Sequence, residues 1–264
     1  MSESLGSRLT WGIVGGIARP LLNLLIGKRH EGFEKLPRGG FIACPNHVTE
    51  FDPLVVGHAL FNHGTMPRFM AKESLFRIPV VGHVLRATGQ VPVERSSAGA
   101  NRSLEAARNL LESGGAVIVY PEGTLTRDPD LWPMRGRTGA ARLALRTGAP
   151  VVPIAHWGAQ ELLPRYAKGL KLFPRKQVRV VAGDPVDLSD LAGGPMTRTV
   201  LEEATNRIMA ALAAQLAEIR GEEPPRVLWD PAAHGQSSTG RDFEAKPDAG
   251  TASAADPADG QAAR

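Results

Sequence analysis

His47 and Asp52, within Asn46-His47-Val48-Thr49-Glu50-Phe51-Asp52, are the residues whose types and spacing most directly offer proton-transfer chemistry. Histidine ordinarily titrates near neutrality, so it can take a proton from a hydroxyl and pass it on. A carboxylate on its second ring nitrogen fixes the tautomer and stabilises the imidazolium that forms. An offset of five residues is about 140° around a continuous helix, so the pair must meet through a turn. Asp52 also has a structural role available, because Asp followed by Pro53 is a helix-start signature. Capping and orienting His47 are compatible. Two other chemistries are weaker. A metal held by His47, Asp52 and His58 has no enforcing spacing. Cys44, three residues before His47, could act as a nucleophile with that base, but it sits in an apolar run and precedes Pro45, which reads as core.

A second segment, Val117-Ile118-Val119-Tyr120-Pro121-Glu122-Gly123-Thr124, reads as a strand entering a tight glycine turn. Backbone N–H groups in such a turn can cradle an anion, and Thr124 adds a hydroxyl. Glu122 suits an arginine or a loop amide better than an anion. A third runs from Lys72-Glu73-Ser74-Leu75 to Val93-Glu94-Arg95, where Arg95 follows a strand-like run and can grip a phosphate with two N–H groups.

These residues need a scaffold, and the apolar pattern supplies an α/β one. Strands are expected at Phe41–Cys44, Arg68–Ala71, Gln90–Val93, Ala116–Tyr120, Val151–Ile154 and Val178–Val181. Helices are expected at Pro53–Phe61, Val80–Ala87, Arg102–Leu111, Thr138–Arg146 and Thr197–Arg220. Such alternation predicts a mixed central sheet flanked by helices. His47 then follows a buried strand, on a loop held by a rigid scaffold.

The single cysteine excludes an intrachain disulfide framework and a Cys-rich zinc site. Net charge is +4, but residues 221–264 hold 4 Lys/Arg and 8 Asp/Glu, leaving 27 and 19, a net of +8, for residues 1–220. A basic body suits an anionic membrane or a phosphorylated substrate. Nucleic acid is not expected, because aromatics are 5% and no recognition-helix or RNA-binding signature is present.

Leu9–Ile26 is mostly apolar but broken by Arg19, Pro20 and Asn23, with Lys28, Arg29 and His30 following. A spanning helix needs about 20 mainly apolar residues, so residues 1–30 are expected to form a helix at the membrane interface. A secretory signal peptide is not expected, since the run lacks both a basic leader region and a small-residue cleavage site. Between residues 165 and 179, Arg165, Lys168, Lys171, Arg175, Lys176 and Arg179 stand with no acid among them. Each could contribute about 1 kcal/mol at an anionic membrane. Residues 31–220 form the expected main domain. Residues 221–264, Pro-containing, acidic and poor in apolar residues, are expected to be a disordered tail.

The segments together resemble the glycerolipid acyltransferase family, which includes 1-acylglycerol-3-phosphate (lysophosphatidic acid) acyltransferase. His47 through Asp52 matches the family's His-four-residues-Asp motif. Lys72, Glu73, Leu75, Pro79, Gly82, Gly89 and Arg95 match its second block, Pro121-Glu122-Gly123-Thr124 its third, and Val152-Pro153-Ile154 its fourth. The resemblance covers about residues 30–190. It implies that His47, oriented by Asp52, is the general base on an acceptor hydroxyl that attacks an acyl thioester, without an acyl-enzyme. It implies that Arg95 and Glu122-Gly123-Thr124 hold the acceptor phosphate. Acyl-CoA or acyl carrier protein is the implied donor, with no further cofactor and no metal. The implied partners are a lysophospholipid acceptor and membrane lipids, and the implied location is the cytoplasmic face of the cell membrane, peripheral or monotopic. One departure bears on the acceptor: Leu125 stands where the family often has Arg directly after Glu-Gly-Thr, and Arg127 or Arg137 is then the nearest replacement. Another lysophospholipid or a glycolipid acceptor, or a non-catalytic membrane scaffold, are the alternatives.

Overall fold

A computed structural model describes residues 5–93 and 97–237. Helix α1 (Leu5–Leu25) leads into β1 (Ile26–Glu31), followed by β2 (Phe41–Pro45), α2 (Asp52–Asn62), β3 (Pro67–Lys72), α3 (Val81–Ala87) and β4 (Val91–Val93). The chain continues through α4 (Ser97–Glu112), β5 (Ala116–Ile118), α5 (Gly139–Thr147), β6 (Val151–Trp157), α6 (Ala159–Leu162), β7 (Lys176–Ala182) and α7 (Arg198–Arg220). The strands form one seven-stranded sheet in the order β1-β7-β6-β2-β5-β3-β4. Every neighbouring pair is parallel except β6 with β7. This is the expected mixed sheet with helices on both faces.

Strand β2 explains how the layers close. It is buried at every position, as a central strand covered on both faces must be. Phe41 and Ala43 point to a core with Val55 and Val56 of α2 and Leu22 of α1. Ile42 and Cys44 point to the other, with Ala107 of α4, Leu143 of α5 and Leu201 of α7. Burial pushes the Cys44 thiol up to about 12. The thiol is therefore a core group, and the nucleophile reading is removed.

Two boundaries differ from expectation. Lys28, Arg29 and His30 are not cations trailing a membrane helix but lie in β1, which pairs with β7 from Ile26↔Lys176 to Glu31↔Val181. An edge strand with one neighbour needs no continuous apolar run, which is why its charged sequence concealed it. Residues 222–237, within the expected disordered tail, are placed against the body. Asp230 accepts from Arg135 at 2.8 Å, Trp229 O accepts from Arg135 N at 2.8 Å, and Pro231 is buried. Residues 238–264 lie outside the described residues.

Among the described residues, no helix is long and apolar enough to cross a membrane. In α1, Trp11 and Leu22 face the body, where Trp11 stacks on Phe61. Ile13, Ile17, Leu21 and Leu24, spaced by four, four and three residues, form an exposed apolar stripe on its other side.

Candidate active site

Strands β2 and β5 are adjacent and parallel, in the register Phe41↔Ala116 to Ala43↔Ile118. The loops after their C-terminal ends must therefore meet at one edge of the sheet, where open α/β sheets place their sites. One loop carries His47 to Asp52 and the other Tyr120 to Thr124.

The first loop is wound around one carboxylate. Asp52 Oδ2 accepts from Val48 N at 2.6 Å and Thr49 N at 2.9 Å, and lies 2.9 Å from His47 Nδ1. The turn that the five-residue offset demanded is thus held by the residue that orients the histidine. Asp52 does not cap α2. The cap position is Phe51, without a side-chain hydrogen bond, and Asp52 and Pro53 open the helix itself. The Asp52 carboxylate turns backward to the upstream amides because these sit on the loop side, toward His47. It is wholly enclosed, while the His47 side chain keeps 17% exposure. With Nδ1 on Asp52, Nε2 is the nitrogen left for a ligand. Tyr120 stacks on the imidazole with ring centroids 4.0 Å apart, fixing its plane.

Glu122 joins the two loops. Its Oε1 accepts from His47 N at 3.0 Å and its Oε2 from Met134 N at 3.1 Å. The side chain is buried, and burial pushes its carboxyl up to about 8 although both amide bonds act the other way. In this position Glu122 organises loop amides, the role its chemistry favoured, and does not face solvent where an anion would bind. Gly123 adopts φ 72° with its N–H donated to Tyr120 O, so that amide serves the turn. A Cβ at Gly123 would come within 2.7 Å of Arg137 Cδ. Glycine here lets Arg137 lie across the turn.

The cation candidates separate clearly. Arg127 is 1% exposed, and desolvation lowers its pKa, assisted by Arg137 and Arg165. Its guanidinium belongs to the interior of the loop and is not offered to a solvent-borne phosphate. Arg137 is exposed and lies against Gly123, and Thr124 is half-buried beside it. Leu125 is buried. Arg95 lies outside the described residues. A cleft of about 220 Å³ on the Arg137 side is lined by Glu122, Met134, Gly136 and the placed tail residues Asp230 to Ala232.

Two residues behind the pair were not singled out in the sequence. Asn46 Nδ2 donates to His156 O at 3.1 Å, and His156 N donates to Asn46 Oδ1 at 2.9 Å. His156 Nε2 lies 2.9 Å from Asn46 O and 3.8 Å from Asp52 Oδ1. This clasp ties the start of the His47 loop to the end of β6. It is legible only once β2 and β6 are known to be neighbours. His58 instead faces Asn23 of α1 at 3.1 Å. Among the described residues, no three His, Cys, Asp or Glu side chains are grouped so as to hold a metal.

The acyltransferase family model matches residues 28–157. The 1-acyl-sn-glycerol-3-phosphate acyltransferase BAT2 of Brassica napus chloroplasts is 29% identical over 185 residues, covering 69% of this chain and 50% of that protein. The Streptococcus pneumoniae 1-acyl-sn-glycerol-3-phosphate acyltransferase is 26% identical over 233 residues, 85% of this chain and 81% of its own. The crystal structure of the 1-acyl-sn-glycerophosphate acyltransferase PlsC from Thermotoga maritima has the same fold, with a TM-score of 0.60, 22% identity and 83% of each chain covered. Against the chloroplast relatives, this chain spans about half their length.

Proposed function

The chain belongs to the acyltransferase family, and on that premise we propose that it moves a fatty acyl group from an acyl thioester to the free hydroxyl of 1-acylglycerol 3-phosphate, giving phosphatidic acid. The observation that carries this reading is the partly exposed His47 imidazole, 2.9 Å from the enclosed Asp52 carboxylate. Nδ1–H donates to Asp52, so Nε2 accepts the proton of the acceptor hydroxyl. The alkoxide attacks the thioester carbonyl. As the tetrahedral adduct collapses, the thiolate leaves and takes the proton from Nε2, returning His47 to its starting state. Asp52 stabilises the transient imidazolium, and its amide bonds to Val48 and Thr49 keep it in place. The buried Cys44 takes no part, and no acyl-enzyme forms.

Arg137 and Thr124 are the described groups best placed for the acceptor phosphate, and Arg95 stays a candidate on the family resemblance alone. The placement of Arg137 against Gly123 supports its standing in for the cation that Leu125 lacks. The donor is acyl-CoA or acyl carrier protein. The enzyme works at the cytoplasmic face of the cell membrane, where the α1 stripe would reach the lipid interface. Leu125 also favours a second reading within the same chemistry, in which the acceptor is another lysophospholipid or a glycolipid. The deciding experiment crosses acyl-CoA and acyl carrier protein donors with 1-acylglycerol 3-phosphate, its dephosphorylated form and other lysophospholipids. Preference for the phosphorylated acceptor supports the first reading, and indifference to the phosphate sinks it.

A further inference from the structure

Resting on the membrane reading above, we infer that the loop between α6 and β7 is a second membrane-docking element, an apolar wedge set among cations that enters an anionic bilayer beside α1. Phe173, at the tip of this loop, is 89% exposed, the most exposed large apolar side chain among the described residues. Leu170 and Leu172 are also exposed. Lys168 and Lys171 alternate with them and are exposed. Three apolar side chains held in water between cations match an interface with hydrocarbon inside and anionic head groups outside.

The loop is anchored where such a wedge has to be. Arg175 Nη2 donates to Ile26 O at 2.7 Å, at the start of β1, and also to Asn23 O, in the last turn of α1. A guanidinium on the last carbonyls of a helix completes bonds that the helix cannot make for itself. This holds the loop beside Leu24, the end of the exposed α1 stripe. The anchor ties the loop to the helix that carries the exposed stripe. The cations expected to form a single basic patch divide by task. Arg165 holds the carbonyls of Thr126 and Asp128, Arg175 holds α1, and Arg179 pairs with Glu31. Lys176 lies in β7 opposite Ile26, and Lys168 and Lys171 remain for lipid head groups. One docking signal gives only marginal, reversible attachment, whereas two give stable attachment.

The test is co-sedimentation of the full chain with phosphatidylcholine vesicles with and without phosphatidylglycerol at about one third of the lipid, so that the contribution of the cations is readable. Phe173→Asp should weaken binding to the anionic vesicles about tenfold or more, the range expected on losing the burial of one aromatic side chain. Lys168→Gln with Lys171→Gln should weaken it by roughly tenfold or more and remove most of the salt dependence. Phe173 is exposed, so the thermal midpoint of Phe173→Asp should not move, and turnover of a water-soluble short-chain acceptor should stay at the wild-type level. Wild-type binding to anionic vesicles that Phe173→Asp leaves unchanged overturns the wedge alone. Absence of wild-type binding to either vesicle overturns the membrane reading and the wedge with it. A self-association lost in Phe173→Asp, with vesicle binding intact, assigns the surface to a second copy of the chain and overturns the proposal.

Discussion

Replacing Asp52 with Asn tests the division of labour in the pair. In the native site one oxygen, Oδ2, faces three donors: His47 Nδ1, Val48 N and Thr49 N. An asparagine amide group there would oppose all three, so the side chain must keep its oxygen at that position and turn its NH2 toward the Oδ1 site. That site has no hydrogen-bond partner, and His156 Nε2 is 3.8 Å away. The loop is therefore retained, at a cost of about 1–3 kcal/mol for a buried NH2 without a partner. The charge is what disappears. With charge centres about 4 Å apart and an effective dielectric of about 20, the attraction between Asp52 and the transient imidazolium is about 4 kcal/mol. At about 1.4 kcal/mol per decade, the chemical step should slow by a factor on the order of 10³. Release of the free thiol from acyl-CoA, measured with saturating 1-acylglycerol 3-phosphate, reads this directly, with thermal unfolding as the check on folding. A folded Asp52→Asn protein within tenfold of wild-type kcat would refute the electrostatic role of Asp52.

Three further outcomes are expected. Arg137→Ala should raise KM for 1-acylglycerol 3-phosphate by about 10- to 100-fold, the loss of one charge-assisted contact, and leave the dephosphorylated acceptor unaffected; equal effects on both would remove Arg137 from the phosphate site. The Glu122 carboxyl, raised by burial to about 8, holds its proton in the folded state between about pH 4.5 and 8 while the unfolded chain has lost it. Unfolding free energy should therefore fall as pH rises through that window, by at most a few kcal/mol. Glu122→Gln should flatten the slope, and a slope identical in both proteins would contradict the assignment. His156→Phe removes the ring nitrogen beside Asn46 O, so chemical denaturation should show a loss of about 1–3 kcal/mol. Turnover should fall through kcat rather than KM, and unchanged kcat would mean that the clasp does not position the His47 loop.

How far the sequence reached depends on whether a signal is local. The run Phe41 to Cys44 reads as a buried strand because a short continuous apolar run is too brief for a buried helix. His47, Asp52 and the need for a turn between them were legible because they too are local. The pairing of β2 with β5 and β6 was not, because contacts between residues 47 and 122, or 46 and 156, depend on which strands become neighbours. The residues that tie the site together, Asn46 and His156, therefore carried no local mark. Charge was the most misleading signal. Lys28 and Arg29 belong to an edge strand, and Arg165, Arg175 and Arg179 serve internal contacts. A cation count reveals nothing about partners 37 to 152 positions away. Composition also misjudged residues 222–237, where a few contacts, at Trp229, Asp230 and Pro231, are enough to seat a polar segment.

The central claim is that His47 Nε2 receives the acceptor proton. It is tested most directly by His47→Ala in a transfer assay with acyl thioester and 1-acylglycerol 3-phosphate, on protein shown to be folded and vesicle-bound like wild type. Loss of the general base should lower kcat by about 10²–10⁴-fold or more. Phosphatidic acid formed at a rate within a few-fold of wild type would contradict it.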